Sequence, residues 1–226
     1  MAIKFYTVAT HSTEGYQRLV QSADYYNIQL NVLGEGATWI GQGQKVNLFK
    51  SQLENLADDD VAVFTDGFDV IYLTNTEEIL EKFNNFSEKV VFSAESICHP
   101  DPSLAPLFPK EAENATNYQY LNAGGYIGEV GELKNIMSTP IQDTDSDQLY
   151  FQNKFLDSNE NYSIALDYFN SIFECKEPGN TKILDNQTLQ QNNDRVFIRH
   201  WPSGVYWPLK SGDWVDSYPC IRHGND

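Results

Sequence analysis

The sequence predicts an α/β fold in which a mixed central sheet is flanked by helices. Three observations carry this. Short apolar runs alternate with segments of helical periodicity in the order β-α-β-α-β between Ile3 and Phe64. The pattern then repeats through a further helix and strand, ending near Ala94. Finally, the apolar run Val61-Ala62-Val63-Phe64 stops abruptly at Thr65-Asp66-Gly67-Phe68-Asp69. A buried strand that ends in carboxylates delivers them to the lip of an α/β sheet, where ligands bind.

Ile3 to Thr10 reads as the first strand. Glu14 to Tyr26 reads as a helix, because Tyr16, Leu19, Val20 and Ala23 share one face. Ile28, Leu30 and Val32 alternate as a second strand. Gly34 to Gln44 is a glycine-rich loop containing Trp39. From Lys45, the residues Val46, Phe49, Leu53 and Leu56 recur at helical spacing, and Asp58-Asp59-Asp60 ends that helix. Asn75 caps the next helix, which carries Ile79, Leu80 and Phe83, with Glu78 three residues after the cap. Lys89 to Ala94 is an apolar strand. The prolines between His99 and Pro109 predict a loop. Tyr120 to Gly128 is a strand interrupted by Asn122-Ala123-Gly124-Gly125, and glycine inside a strand marks a bulge or the close approach of a ligand. Asp145 to Phe155 reads as a helix, and Arg195 to Ile198 as a last strand before a tail rich in Trp, Pro and Gly. No linker or repeat interrupts the chain, which reads as a single domain over residues 1–226.

Composition narrows the function. With 13 Tyr, 13 Phe and 4 Trp, 226 residues can bury a full core. A formal charge of −17 argues against nucleic acid and anionic membrane surfaces, both of which need clustered Lys and Arg. No apolar stretch approaches membrane-spanning length. The opening Met-Ala-Ile-Lys-Phe-Tyr runs straight into a strand pattern with no secretory leader. Cys98, Cys175 and Cys220 are an odd, widely spaced set, suited to buried thiols in a reducing compartment. Cytoplasmic action is therefore expected.

Asp66 and Asp69 carry the chemistry. Two carboxylates about 4 Å apart repel by roughly 4 kcal/mol at an effective dielectric of about 20. A divalent cation is the simplest offset, and a cation at a strand end is a grip for a diphosphate. The plainer reading is a turn, since Asp bends and caps chains well. His11, His99, His200 and His223 offer imidazoles, although a lone His is more often a hydrogen-bonded structural residue than a ligand.

Eight segments in fixed order resemble the glycosyltransferase domain of the collagen lysyl hydroxylases, the procollagen-lysine dioxygenases. They are Thr7-Val-Ala-Thr10, Thr13-Glu-Gly-Tyr16, Gly43-Gln-Lys-Val46, Thr65-Asp-Gly-Phe-Asp-Val70, Phe92-Ser-Ala-Glu-Ser96, Tyr120-Leu-Asn-Ala-Gly-Gly-Tyr-Ile-Gly128, Asp145-Ser-Asp-Gln-Leu149 and Pro219-Cys-Ile-Arg-His-Gly-Asn225. The resemblance includes giant-virus members of the family. It implies a nucleotide-sugar-binding fold of the GT-A type and a manganese-dependent transferase. The donor would be a UDP-sugar, glucose favoured over galactose. The acceptor would be hydroxylysine or galactosyl-hydroxylysine of a collagen-like protein. By position, Asp66, Asp69 and His223 would hold Mn2+, with His200 as the competitor for the imidazole. Carboxylate and imidazole ligands suit that ion.

Further roles follow from the same resemblance. Val8 and Thr10 would meet the uridine. Phe68, where the family usually has Tyr, would stack on uracil; its alternative is core packing. Lys45 would meet the diphosphate at a helix N-terminus, its alternative being a solvated lysine. Asn225 would touch the phosphates. Glu95, Asn122, Asp147 and Gln148 would serve the sugar and the acceptor. Asp147 would orient the sugar or take the acceptor proton rather than act as nucleophile. Asp145-x-x-Gln148 also reads as a capping box. The family resemblance adds the endoplasmic reticulum lumen as an alternative location. Three departures stand out: a shorter loop between Trp39 and Lys45, His99 in place of a family tryptophan, and Ser146 in place of a carboxylate. Two other functions fit the same fold: a non-catalytic accessory domain, and a UDP-sugar transferase with a glycan acceptor. The sequence leaves the oligomeric state open.

Overall fold

The computed structural model describes residues 2–110, 118–175 and, as backbone, 198–200. In chain order the elements are β1 (Ile3–Val8), α1 (Glu14–Tyr25), β2 (Leu30–Leu33), α2 (Gly43–Leu53), β3 (Val61–Asp66), β4 (Val70–Tyr72), α3 (Thr76–Phe83) and β5 (Val90–Glu95). A 3-10 helix over Pro102–Leu107 comes next, then β6 (Tyr120–Glu129), α4 (Val130–Ile136), α5 (Asp147–Leu156), β7 (Ile164–Leu166), β8 (Phe173–Cys175) and β9 (Ile198–His200). Six strands form the main sheet in the order β2-β1-β3-β6-β5-β7, and β4-β9-β8 form a second, smaller one.

In the main sheet only β6 runs against its neighbours. The C-terminal ends of β1, β2, β3, β5 and β7 therefore share one edge with the N-terminal end of β6. That edge gathers Val8, Asp66, Glu95 and Asn122. The register confirms the first pair, since Val8 sits directly beside Asp66 on the parallel strands β1 and β3.

β3 is buried on both faces, which is why it reads as a continuous apolar run rather than an alternating one. Ala62 and Phe64 join the core packed by α2, α4 and α5, and Val61 and Val63 join the core packed by α1 and α3. Phe64, Tyr126, Phe92 and Phe151 follow one another through the first core with ring centroids 5.1, 4.7 and 5.0 Å apart. Packed rings in these offset and tilted arrangements make that layer stiff.

The expected elements are present, with physical adjustments. Thr13 caps α1 by accepting from the Tyr16 N–H, and Asn75 caps α3 by accepting from the Glu78 N–H. Glu78 does not complete a reciprocal box, because its carboxylate receives the Thr74 hydroxyl. The capping box expected at Asp145 is also corrected: Ser146 is the cap, accepting from the Leu149 N–H at 3.2 Å. Asp145 instead receives the Gln142 N–H at 3.0 Å, and the helix begins at Asp147. The proline-rich loop contains the 3-10 helix, begun by Asp101, which caps Ser103.

The interruption in β6 is a bulge. β5 pairs Phe92 with Tyr126 but Ser93 with Asn122, so Ala123, Gly124 and Gly125 are passed over. The Asn122 side-chain Oδ1 steadies the bulge by accepting from the Gly124 N–H at 2.9 Å. Of the strand expected over Arg195 to Ile198, residues 195–197 lie outside the described residues, and Ile198 opens β9, which runs on to His200. Cys98 and Cys175 are buried, as expected, and Cys220 lies outside the described residues.

Candidate active site

Three segments distant in sequence meet at one ammonium group. Lys45, in the first turn of α2, places Nζ 2.7 Å from Asp66 Oδ1 at the end of β3 and 2.7 Å from Asp147 Oδ2 at the start of α5. The Lys45 side chain is 13% exposed, Asp66 22% and Asp147 6%, so water reaches this triad chiefly through Asp66. Burial alone would lower the Lys45 pKa, but the two carboxylates outweigh it and hold the ammonium charged. Burial pushes the Asp147 carboxyl up, Lys45 pulls it back, and Asp66 adds like charge. The Tyr126 phenol below is raised well above its ordinary value by burial and then by Asp147 and Asp66, so it stays neutral.

This arrangement sets aside the solvated-lysine alternative for Lys45 and changes what the helix start itself can offer an anion. The start of α2 does not present open N–H groups to an anion, because carbonyls already take them. Gly43 N–H goes to Asp145, Gln44 N–H to Gly41 and Asp143, and Lys45 N–H to Gln42. The close seating of α2 on the loop before α5 demands glycine at position 43, where a Cβ would stand 2.0 Å from the Gln142 carbonyl oxygen. The packing that denies a helix-terminus anion site is thus the packing that aims Lys45 at the carboxylates.

A second cluster adjoins the first through Gln148, whose N–H donates to Asp147 Oδ1 at 2.8 Å. The Gln148 side-chain amide donates to Glu95 Oε1 and to the His99 carbonyl, and accepts from the Ala123 N–H. Asn122 donates to the other Glu95 oxygen at 3.1 Å. Each oxygen of the half-buried Glu95 therefore has an amide donor, which fixes the carboxylate plane. Gln152, one turn further along α5, donates to the carbonyls of His99 and Leu121. It went unremarked in the sequence, although its spacing of four from Gln148 puts both on one helix face.

Phe68 is 37% exposed, so the core-packing alternative is set aside. Its ring leans on His11 with centroids 5.3 Å apart. The His11 ring also makes a 3.0 Å hydrogen bond between Nδ1 and the Thr10 hydroxyl. No periodicity in the sequence points to this contact. Thr10 and Val8 are buried at the same lip, and the Thr10 carbonyl accepts from Gly36. Asp69 is half-buried, across a two-residue turn from Asp66.

Asp66 and Asp69 are hard oxygen donors with partial solvent access, and Asp66 already receives one cation, the Lys45 ammonium. These two residues fit a divalent ion such as manganese. Among the described residues, no group of three His, Cys, Asp or Glu is gathered for a metal. The expected third ligand, His223, and the expected phosphate contact, Asn225, lie outside the described residues, as does the His200 side chain.

Residues 1–206 match the family described as PLOD GT domain. The chain is 35% identical over 234 residues to a procollagen-lysine,2-oxoglutarate 5-dioxygenase of Drosophila melanogaster, covering 99% of this chain and 30% of that protein. It is 34% identical over 232 residues to the human multifunctional procollagen lysine hydroxylase and glycosyltransferase LH3, covering 97% of this chain and 29% of that protein. It is 31% identical over 232 residues to uncharacterized protein R699 of Acanthamoeba polyphaga mimivirus, covering 96% of this chain and 44% of that protein. The chain thus spans less than half the length of each of these relatives. Among solved structures, a glycosyltransferase involved in glycosylation of the major capsid of PBCV-1 superposes with a TM-score of 0.53 at 8% identity, covering 88% of this chain and 92% of that one. That likeness concerns fold alone, and the fold is of the GT-A type. Sequence match and fold agree: the chain belongs to the PLOD GT domain family.

Proposed function

We propose that the chain is a glycosyltransferase that moves a hexose, glucose in preference to galactose, from a UDP-sugar to hydroxylysine or galactosyl-hydroxylysine of a collagen-like protein. The observation that carries the proposal is the meeting of Asp66, Lys45 and Asp147 beside Val8, joined through Gln148 to Glu95 and Asn122. Family membership and the name of the LH3 relative support the reaction and acceptor class.

A manganese ion on Asp66, Asp69 and His223 would supply positive charge against the departing diphosphate. The chain's own residues do the rest. Val8 and Thr10 line the uridine end of the lip, and Phe68 offers a partly exposed ring face to the base. Lys45 carries the charge nearest to the phosphates. Glu95, held by Asn122 and Gln148, accepts hydroxyl donors of sugar or acceptor in a fixed direction. The acceptor hydroxyl forms the new bond to the anomeric carbon as the sugar–phosphate bond breaks toward UDP. Asp147 orients the sugar or receives the hydroxyl proton.

UDP release from a panel of UDP-sugars tests this, with and without Mn2+ and with and without a galactosyl-hydroxylysine peptide. Mn2+-dependent release from one sugar, increased by the peptide, is expected. Release that the peptide does not increase would overturn the acceptor. No release, with no UDP binding by calorimetry, would overturn the transferase reading in favour of an accessory domain.

A further inference from the structure

The described residues of the site hold a cation of their own. Lys45 Nζ stands 2.7 Å from a carboxylate oxygen of each of Asp66 and Asp147, and its side chain is 13% exposed. Asp147 is 6% exposed, so its charge has little help from water. A divalent ion bound to the same Asp66 Oδ1 would lie within a few ångström of this ammonium, and like charges repel strongly at such range.

We propose that Lys45 is the built-in counter-cation of this site: its ammonium holds Asp66 and Asp147 together and keeps a divalent cation off Asp66 until an incoming diphosphate draws it away. This rests on the nucleotide-sugar reading above and adds a coupling to it. The diphosphate offers Lys45 an alternative anion, so nucleotide binding and cation binding reinforce one another. By linkage, the factor by which UDP tightens cation binding equals the factor by which the cation tightens UDP binding. Lys45 is a positioning residue for the empty-handed enzyme, setting the order in which its ligands load.

The test is Mn2+ binding followed by the EPR signal of the free ion, which needs no turnover. Wild type, Lys45→Met and Lys45→Gln are titrated with Mn2+ alone and with Mn2+ in the presence of saturating UDP. Lys45→Gln keeps a hydrogen-bond donor near Asp147, and circular dichroism checks that both variants are folded. Lys110→Met removes an exposed lysine and controls for net charge, since screening in physiological salt confines such effects to about 8 Å. Wild type should bind Mn2+ alone weakly and tighten with UDP. Both Lys45 variants should bind Mn2+ alone at least about tenfold more tightly than wild type, with a smaller gain from UDP, a change within the usual range of site-to-site coupling. Lys110→Met should match wild type.

If wild type binds Mn2+ with UDP but neither Lys45 variant gains affinity for Mn2+ alone, the counter-cation role is overturned while the metal reading stands. An equal gain in Lys110→Met would overturn it as well, since the effect would then be one of net charge. If no protein binds Mn2+ under either condition, the metal reading falls and this inference falls with it.

Discussion

Asp69 is the expected metal ligand best placed for a direct test among the described residues. It is half-buried in a surface turn, whereas Asp147 is locked into the buried pair with Lys45. Asp69→Ala should therefore keep the circular dichroism spectrum and lower Mn2+-dependent UDP release by about a hundredfold or more, the scale of losing one group that stabilises developing charge. Unchanged turnover in a folded variant would sink the metal role. At this scale the sequence brought forward residues that the structure gathers at one sheet edge, but not how they are held. Asp66, Lys45 and Asp147 share no local pattern, and only the family resemblance placed them in one site. Their ion pairs arise because α2, β3 and α5 converge, which no spacing along the chain encodes. The same holds for His11 against Phe68. Gln152 was legible in principle, as the i+4 partner of Gln148 on α5.

Among the elements, α2 and the loop before α5 form the joint on which the site depends. Gly43 is the contact point, with a would-be Cβ at 2.0 Å from the Gln142 oxygen and 3.0 Å from the Gln142 carbon. Backbone atoms cannot yield as a flexible side chain does, so one of the two segments must move. Gly43→Ala should cost about 1–3 kcal/mol, as overpacking does, and lower Tm by about 2–4 °C for each kcal/mol. It should also reduce UDP release by more than the stability loss explains, because Lys45 shifts with α2. A variant with wild-type Tm and wild-type release would show that the joint has slack. The long elements were legible because their periodicity follows from burial: α1, α3 and the two-sided strand β3 each bury a defined face or core. The short ones were not. β4, β7 and β8 have three residues apiece, too few to show a period, and α4 follows β6 with no intervening turn signal. Ser146 won the cap from Asp145 because Asp145 is already engaged with the Gln142 N–H in the preceding turn.

For the whole molecule, charge is the dominant feature. Thirty-two acidic side chains face 15 basic ones, a net of −17, so repulsion between carboxylates exceeds what surface pairing recovers. Among the described residues, the pairs Arg18–Glu14, Lys89–Glu129 and Lys134–Asp58 each have a substantially exposed partner, and such pairs are worth about 0–1 kcal/mol. Added salt weakens both the repulsion and these pairs, but the repulsion has more terms. Raising ionic strength from about 0.01 M to about 0.15 M shortens the Debye length from about 30 Å to about 8 Å. Tm should therefore rise, by about 2–4 °C for each kcal/mol of repulsion relieved. The Lys45 pairs are buried and should not respond, so this salt effect should be the same in Lys45→Gln as in wild type. A Tm that falls with salt would mean that exposed ion pairs outweigh the excess of carboxylates. A larger rise in Lys45→Gln than in wild type would mean that the Asp66–Asp147 repulsion, unmasked by loss of the ammonium, also responds to salt.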